Sequence, residues 1–194
     1  MIGTVTARRE EKVAEIVGRA WELARSEGFR GLSLRALAAR VGMRQPSLYE
    51  YFESKDALYD AMFGDANRQL LERLDALALP SDPRKALKSF MGTFTAFALE
   101  DCVRAQLLFE RPIPGFTPTQ ASYQHAEAVL ERVFELLRAA GLTDPGDVDC
   151  FVAMVGGIIA AQSSNDPGGN RWSRHLHRMI DLHLDNARPR RNSK

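Results

Sequence analysis

The stretch that decides the fold is SLRALAARVGMRQPSLYEYFESK, residues 33–55. Apolar residues recur in its first half at three- and four-residue spacing, which predicts a short amphipathic helix that begins after Ser33 and ends at Gly42. Pro46 fits the first turn of a second helix, because an N–H at that position has no partner to lose. Two short helices joined at a glycine predict a helix-turn-helix.

The second of these helices carries side chains suited to reading DNA. A recognition helix presents its N-terminal residues to base edges in the major groove, where arginine can donate twice to guanine, glutamine can pair with adenine and proline can meet a thymine methyl. Hydroxyl and ammonium donors further along could hold phosphates. Glu50 should either accept from a cytosine amino group or point away from the duplex. The predicted DNA-binding residues are Ser33, Arg44, Gln45, Pro46, Ser47, Tyr49, Tyr51 and Lys55.

The segment GMRQPSLYEYFESKDAL, residues 42–58, resembles the signature of the tetracycline-repressor (TetR-type) transcriptional regulators. With the helix before it, the resemblance covers the N-terminal third of the chain. The later segment NDPGGNRW, residues 165–172, resembles a subgroup common among actinobacterial members. Many members have Ser or Thr where this chain has Arg44, so two roles stay open for Arg44, contact with a base and contact with a phosphate.

Composition and charge fit a cytoplasmic globular protein. The 194 residues suffice for a small domain and a larger one with a hydrophobic core. No apolar run approaches a bilayer span and the N-terminus lacks the apolar stretch of a signal peptide, so we expect no membrane contact. The net charge is +3 over residues 8–55, −6 over 56–187 and +4 over 188–194. A basic head on an acidic body suits DNA binding by one end, although ordinary surface variation gives a similar excess.

The rest of the chain reads as helices, which makes the fold class all-α. An N-terminal three-helix helix-turn-helix domain (1–54) should precede a C-terminal helical ligand-binding and dimerisation domain (55–187) and a basic disordered tail (188–194). Predicted helices span 9–27, 55–79, 83–101, 102–109, 118–140 and 171–187, and another opens at Asp144. A capping box at Thr117 should open the helix at 118. We expect disorder through Thr6, with Arg8 and Arg9 either solvated or on an arm touching DNA. Cys102 and Cys150 should be reduced core thiols.

Aromatic-rich helix faces mark the region where the resemblance implies an inducer pocket. Aromatic residues at helical spacing are usually core, so each taken singly is more often core than ligand contact. Small-molecule sites are nevertheless mostly apolar clefts with a few polar groups. The loop at 111–116, which has two prolines and a glycine, would form the pocket mouth for a small apolar or amphipathic effector. The candidate ligand residues are Phe90, Met91, Phe94, Phe97, Phe109, Phe116, Tyr123 and His125.

The last two long helices are candidates for a dimer interface. Gly156 and Gly157 cost about 1 kcal/mol each relative to alanine inside a helix, which suggests a close approach there. The resemblance implies that these helices pair with their counterparts in a second subunit as a four-helix bundle. A two-fold homodimer would then place two recognition helices on a palindromic operator. The candidate interface residues are Val152, Val155, Gly156, Ile159, Leu176, Met179, Ile180 and His183.

The sequence gives no support to an enzyme. It contains no phosphate-binding glycine loop, nucleophile elbow, paired-cysteine zinc motif or His-Glu-x-x-His. His175 and His177 point to different faces of a helix, and His183 is two turns from His175, so we predict no metal site, catalytic residue or cofactor. The prediction is a ligand-responsive DNA-binding regulator, a repressor by the family's default. A non-enzymatic helical adaptor that binds protein is the alternative.

Overall fold

The computed structural model describes residues 2–187, with side chains from residue 6 onward. Over these residues the chain forms nine α-helices and no strand, which confirms the all-α prediction. A short 3-10 turn, Ser173–His175, precedes the last helix. The helices are α1 (Ile2–Gly31), α2 (Leu34–Arg40), α3 (Gln45–Tyr49), α4 (Lys55–Asp75), α5 (Pro83–Glu100), α6 (Cys102–Phe109), α7 (Gln120–Ala139), α8 (Pro145–Asn165) and α9 (Leu176–Asn186).

The described chain divides into two compact units. The first comprises residues 2–67 and 103–125, and the second comprises residues 68–102 and 126–187. Helices α4 and α7 contribute residues to both units. The domains at 1–54 and 55–187 were defined by expected function rather than by compactness, and they stay a prediction. The predicted tail, residues 188–194, lies outside the described residues.

The first unit contains the helix-turn-helix. The Ser33 hydroxyl caps α2 by accepting the backbone N–H of Ala36 at 3.1 Å, and Gly42 turns the chain after α2 with a φ of 67°. Ile16, Leu37 and Leu48 are fully buried, one from each of the first three helices. Because α2 and α3 have only seven and five residues, the burial of Leu37 and Leu48 rather than helix length holds them helical.

Helix α1 begins earlier than predicted. It runs from Ile2, with a kink at Gly28, where φ is 71° and where the sequence placed its end. The expected disorder through Thr6 is wrong over residues 2–6, because the helix continues towards the N-terminus through strong helix formers such as Ala7 and the Arg and Glu residues after it. Arg8 and Arg9 therefore lie on a helix and not on an arm.

A single carboxylate joins the first half of α4 to the start of α7. The carboxylate of Asp60 accepts the backbone N–H of Thr119 at 2.7 Å, the Thr119 hydroxyl at 2.9 Å and the Ser122 hydroxyl at 2.7 Å. Thr119 also caps α7 by accepting the N–H of Ser122 at 3.3 Å. The predicted capping box at Thr117 is therefore wrong, since Asp60 holds Thr119 and α7 starts at Gln120.

Aromatic contacts surround this junction. The rings of Phe63 and Tyr123 stack with centroids 5.9 Å apart. The rings of Tyr59 and Phe116 meet at 64° with centroids 5.7 Å apart. In addition, the Tyr59 hydroxyl donates to the carbonyl of Phe29 at 2.9 Å. The first half of α4 is thus tied both to the end of α1 and to the segment around the start of α7.

In the second unit α5 packs against both α8 and α9. Leu87, Phe97, Phe151 and Ile180 are fully buried at this packing. Lys88 reinforces it by reaching both carboxylate oxygens of Asp181 on α9 at 3.0 Å. Helix α4 ends at residue 75 rather than at the predicted residue 79. After it, the backbone N–H of Leu77 donates to the carbonyl of Leu74 in a tighter turn.

The loop between α8 and α9 is built around a buried glutamine. The Gln162 side chain, 2% exposed, accepts the N–H of Trp172 at 2.8 Å and that of Ser173 at 3.2 Å, and its amide donates to Asp166. The backbone N–H of Arg171 and then the Gln162 amide hold the pKa of the Asp166 carboxyl below its usual value. Because Gln162 takes these N–H groups, α9 begins at Leu176 and not at Arg171 as predicted.

Helix α8 has the length and apolar composition of a membrane span, which corrects the expectation that no run approaches one. One such helix is weak evidence for a membrane span, because the core helix of a soluble protein passes the same test. Its outward side includes Val152, which is 51% exposed. Cys150 on α8 and Cys102 on α6 are exposed free thiols, so the expectation of core thiols is also wrong.

Replacing Asp60 by alanine should destabilise the protein by about 1–3 kcal/mol, because the acceptor of three hydrogen bonds is removed. Urea unfolding followed by circular dichroism measures the change. Asp56→Ala, at an exposed position in the first turn of the same helix, should cost less than about 1 kcal/mol. Equal losses for the two variants would contradict the importance of the Asp60 junction.

Candidate nucleic-acid interface

The first turn of α3 presents the residues predicted to read bases. Arg44, Gln45 and Pro46 are exposed next to one another, and Ser47 is half-buried. Arg44 is the N-cap residue in an extended conformation, with φ −76° and ψ 147°, and its side chain makes no capping hydrogen bond. The Arg44 guanidinium therefore does not cap the helix. On the opposite side of the helix, the Leu48 side chain is completely buried.

The other end of α3 is held by Arg9 of α1. Its Nη2 donates to the carbonyl oxygen of Glu50 at 2.9 Å, and its guanidinium carbon lies 5.1 Å from the centroid of the Tyr51 ring. A cation at the carbonyl end of a helix and over an aromatic face is favourable on both counts. Tyr49, 47% exposed, is the freer of the two tyrosines. The sequence did not reveal this role for Arg9, because the two partners are 41 residues apart.

Two of the predicted DNA-binding residues have tasks inside the fold. Ser33 caps α2. The ammonium of Lys55 donates to the carbonyl of Phe29 at 3.3 Å and lies 5.4 Å from the centroid of the Tyr59 ring. Lys55 thus fixes the start of α4 to the end of α1. Phosphate contact by either residue stays a prediction.

The predicted ligand residues fall in both compact units. In the second unit Phe90, Met91 and Phe97 are buried core residues and Phe94 is half-buried. In the first unit Phe116 packs on Tyr59 and Tyr123 stacks on Phe63. Phe109 is exposed and His125 is half-buried. Ligand binding by these eight residues stays a prediction, and the structure gives several of them a packing role instead.

Two cavities adjoin one another in the second unit, where α5 faces the α8–α9 loop. The larger has a volume of about 310 Å³ and includes Thr95, Arg174 and His177 in its lining. The smaller, of about 230 Å³, shares Ala96 and Leu99 with it. None of the eight predicted ligand residues lines either cavity. Sequence reasoning missed this place because its polar residues other than Thr95 lie on the α8–α9 loop and on α9, and not on the helix that carries the aromatic stripe.

The predicted dimer residues divide between the core and the outward side of α8 and α9. Val152 and Gly156 are exposed, and no atom lies within 4 Å of a Cβ placed on Gly156. Ile159, Met179 and His183 are half-buried, and His183 Nε2 lies 2.8 Å from the carbonyl oxygen of Asp147. The remaining three predicted interface residues, Val155, Leu176 and Ile180, are buried inside the chain itself. Contact of these three residues with a second subunit stays a prediction.

Comparisons with known proteins agree with this architecture. A model of the tetR family of bacterial regulatory proteins matches residues 16–62. The repressor DrrR1 of Streptomyces coeruleorubidus is 32% identical over 153 residues, 77% of this chain and 52% of that protein. The activator FasR of Mycolicibacterium smegmatis is 28% identical over 137 residues, 69% of this chain and 63% of that protein. A crystal structure of the regulatory protein SCO4313 matches with a TM-score of 0.71 at 25% identity, over 93% of this chain and 96% of that one.

The all-α fold carries its helix-turn-helix in the first unit, where residues 16–62 match the tetR family of bacterial regulatory proteins. Over a larger part of its length the chain is similar to transcriptional regulators of the helix-turn-helix type. Proteins of this family are regulators and not enzymes. The chain spans about half to two thirds of the length of the curated relatives it matches.

The free energy of unfolding should distinguish a structural role of Lys55 from an exposed position of Arg44. Lys55→Ala should lower the free energy of unfolding by about 1 kcal/mol, because it removes a hydrogen bond and a contact with the Tyr59 ring. Arg44→Ala should change it by less than about 0.5 kcal/mol, since that side chain is exposed and makes no cap. Urea unfolding of both variants provides the measurement. A loss at Arg44 as large as that at Lys55 would show that Arg44 is structural.

Proposed function

We propose that this protein binds operator DNA as a homodimer, through the first turn of α3, and regulates transcription in response to a small-molecule effector. The observation that carries the proposal is the exposed set Arg44, Gln45 and Pro46 on a helix whose opposite side is buried. These side chains offer two hydrogen-bonding patterns and one apolar edge, which together can distinguish base pairs in the major groove.

Phosphate contacts would fix this helix in the groove. Tyr49 is exposed at the end of α3, and Lys55 lies at the start of α4. The excess of positive charge over residues 8–55 supplies attraction that does not depend on sequence. Arg9 supports the arrangement without touching DNA in this proposal, because it holds the carbonyl end of α3.

The outward side of α8 is the proposed dimer contact. Val152 and Gly156 lie exposed on a helix that is apolar on more than one side. The glycine would let a second backbone come close, as no atom of this chain fills the space beside it. Pairing through α8 and α9 about a two-fold axis would present two copies of α3 to the two halves of a palindrome.

The effector would act by population shift. If it binds better to a conformation whose heads do not match the half-site spacing, DNA affinity falls by the factor of that preference. We propose repression, the activity in the name of DrrR1, while the name of FasR records activation. The proposed location is the cytoplasm, where the operator is. A protein-binding adaptor is not favoured, because the family consists of DNA-binding regulators.

Selection from random-sequence DNA with the purified chain tests the proposal. We expect a palindrome whose half-sites are about one helical turn apart, or a small multiple of it, bound with an affinity that falls steeply with salt. An unrelated duplex of equal length is the competitor. Recovery of no preferred sequence, with equal weak binding to every duplex, would overturn the proposal.

Substitution of the base-reading residues should weaken binding to the selected palindrome. Arg44→Ala and Gln45→Ala should each cost about 1–3 kcal/mol per half-site and relax selection at one base pair. If Arg44 contacts a phosphate, its loss should instead be uniform across sequences and reduce the salt slope by about 1. Fluorescence anisotropy over a salt series measures both. Arg138→Ala, which removes the same charge from an exposed site on α7, is the control and should bind as the wild type does.

A further inference from the structure

We propose that the two adjoining cavities between α5 and the α8–α9 loop form one binding site for a small monocarboxylic acid with an apolar body. None of the residues predicted from the sequence to bind ligand lies in this site. Its dimensions suit such a molecule, since the larger cavity alone, at about 310 Å³, reaches the range of small-molecule pockets.

The polar end of the site is cationic. Arg174 and His177 line the larger cavity together with the polar side chains of Asn170 and Ser173, and no acidic residue is among the lining residues. Arginine can bind a carboxylate with two parallel hydrogen bonds, and an imidazole N–H can add a further one. The neighbouring Asp166 already accepts the backbone N–H of Arg171, so its charge is partly engaged within the loop.

Thr95 supplies an independent indication of a ligand. It lines the larger cavity on the same side of α5 as Gly92 and Leu99, and it is only 2% exposed. Among the described residues its hydroxyl oxygen has no hydrogen-bond partner. A buried hydroxyl without a partner is unfavourable. Threonine in a helix populates two χ1 rotamers, so the hydroxyl can turn towards the cavity and donate to a carboxylate oxygen there.

The site continues into the smaller cavity, whose lining combines apolar residues with Glu100, Gln162 and Ser163. Ala96 and Leu99 belong to both cavities, and they would contact the body of the acid. Glu100 stands on the wall of the smaller cavity, where it pairs with Arg73 at 2.5 Å. No cationic residue is among the lining residues of the smaller cavity, so a second carboxylate at that end would have no partner there, which favours a monocarboxylic over a dicarboxylic acid.

Steric contacts and hydrogen bonds constrain the loop that lines this site. A Cβ on Gly169 would overlap the Asp166 carboxylate, and the loop is held by the buried Gln162 through the N–H groups of Trp172 and Ser173. Helix α5 and the imidazole of His177 come close at Gly92, where a Cβ would lie 3.4 Å from Nε2 of His177, an ordinary van der Waals distance. These constraints fix the backbone of Ser173 and the segment that carries Arg174 beside α5.

The test uses the full chain, free of DNA, with straight-chain monocarboxylates from butanoate to decanoate at pH 7 and the corresponding neutral amides. Calorimetry and two-dimensional amide NMR follow binding. At least one carboxylate should bind, and the first chemical-shift changes should occur at the backbone amides of Gly92, Asn170, Ser173 and His177. The corresponding neutral amide compound should bind at least tenfold more weakly. No binding by any carboxylate, or shifts that map elsewhere, would overturn the inference.

Variants locate the interaction. Arg174→Gln should weaken carboxylate binding at least tenfold. Thr95→Val should weaken carboxylate binding several-fold without lowering the thermal midpoint of unfolding, because the unpartnered hydroxyl is replaced by a methyl group of similar size. Arg138→Gln, an exposed arginine outside the lining, is the matched control and should bind as the wild type does. Unchanged affinity in Arg174→Gln would contradict the site.

Carboxylate binding does not depend on the proposed function, but release of DNA by the bound acid does rest on it. If an operator is selected and no carboxylate binds, this inference alone fails. If a carboxylate binds at the site and no operator is selected, the proposed function alone fails.

Discussion

A helix of five residues does not hold its shape in water, and α3 is such a helix. Its conformation depends on its surroundings: Leu48 is buried beneath it, and Arg9 binds the carbonyl of Glu50 at its end. Only because these contacts fix one side can the other side expose Arg44 and Gln45 as a rigid set. The burial of Leu48 is therefore required before α3 can present its side chains to DNA.

Local signals in the sequence predicted most of the helices, because caps and breakers act on neighbouring residues. Ser33, Asp82 and Asp144 cap α2, α5 and α8, and these three helices begin where the sequence predicted. Two predicted helix starts failed because a distant side chain decides the boundary. Asp60 sets the start of α7 from 59 residues away, and Gln162 displaces the start of α9. Hydrogen bonds of this kind leave no trace in periodicity or in local propensity.

Periodicity finds a buried face but not what covers it, and this limited the prediction of sites. On α8 the positions of Phe151 and Val155 face the protomer core, whereas Val152 and Gly156, one position later, point outwards. A helix apolar on both sides gives no local signal to separate the two sets. Likewise the aromatic stripe of α5 packs as core, and the cavity opens on its neighbouring side, which carries Thr95. The exposed first turn of α3 was easier to predict, because its polar chemistry stands out against a short apolar helix.

We propose that two copies of this chain join through the outward side of α8 and so place two α3 helices on one operator. Sedimentation equilibrium of the Val152→Asp variant at micromolar concentration tests this pairing. The wild type and Leu79→Asp, which alters an exposed apolar residue in a loop, should be dimers, and Val152→Asp should be a monomer with unchanged helicity. A wild type that is monomeric, or a Val152→Asp variant that is as dimeric as the wild type, would rule out pairing through the outward side of α8.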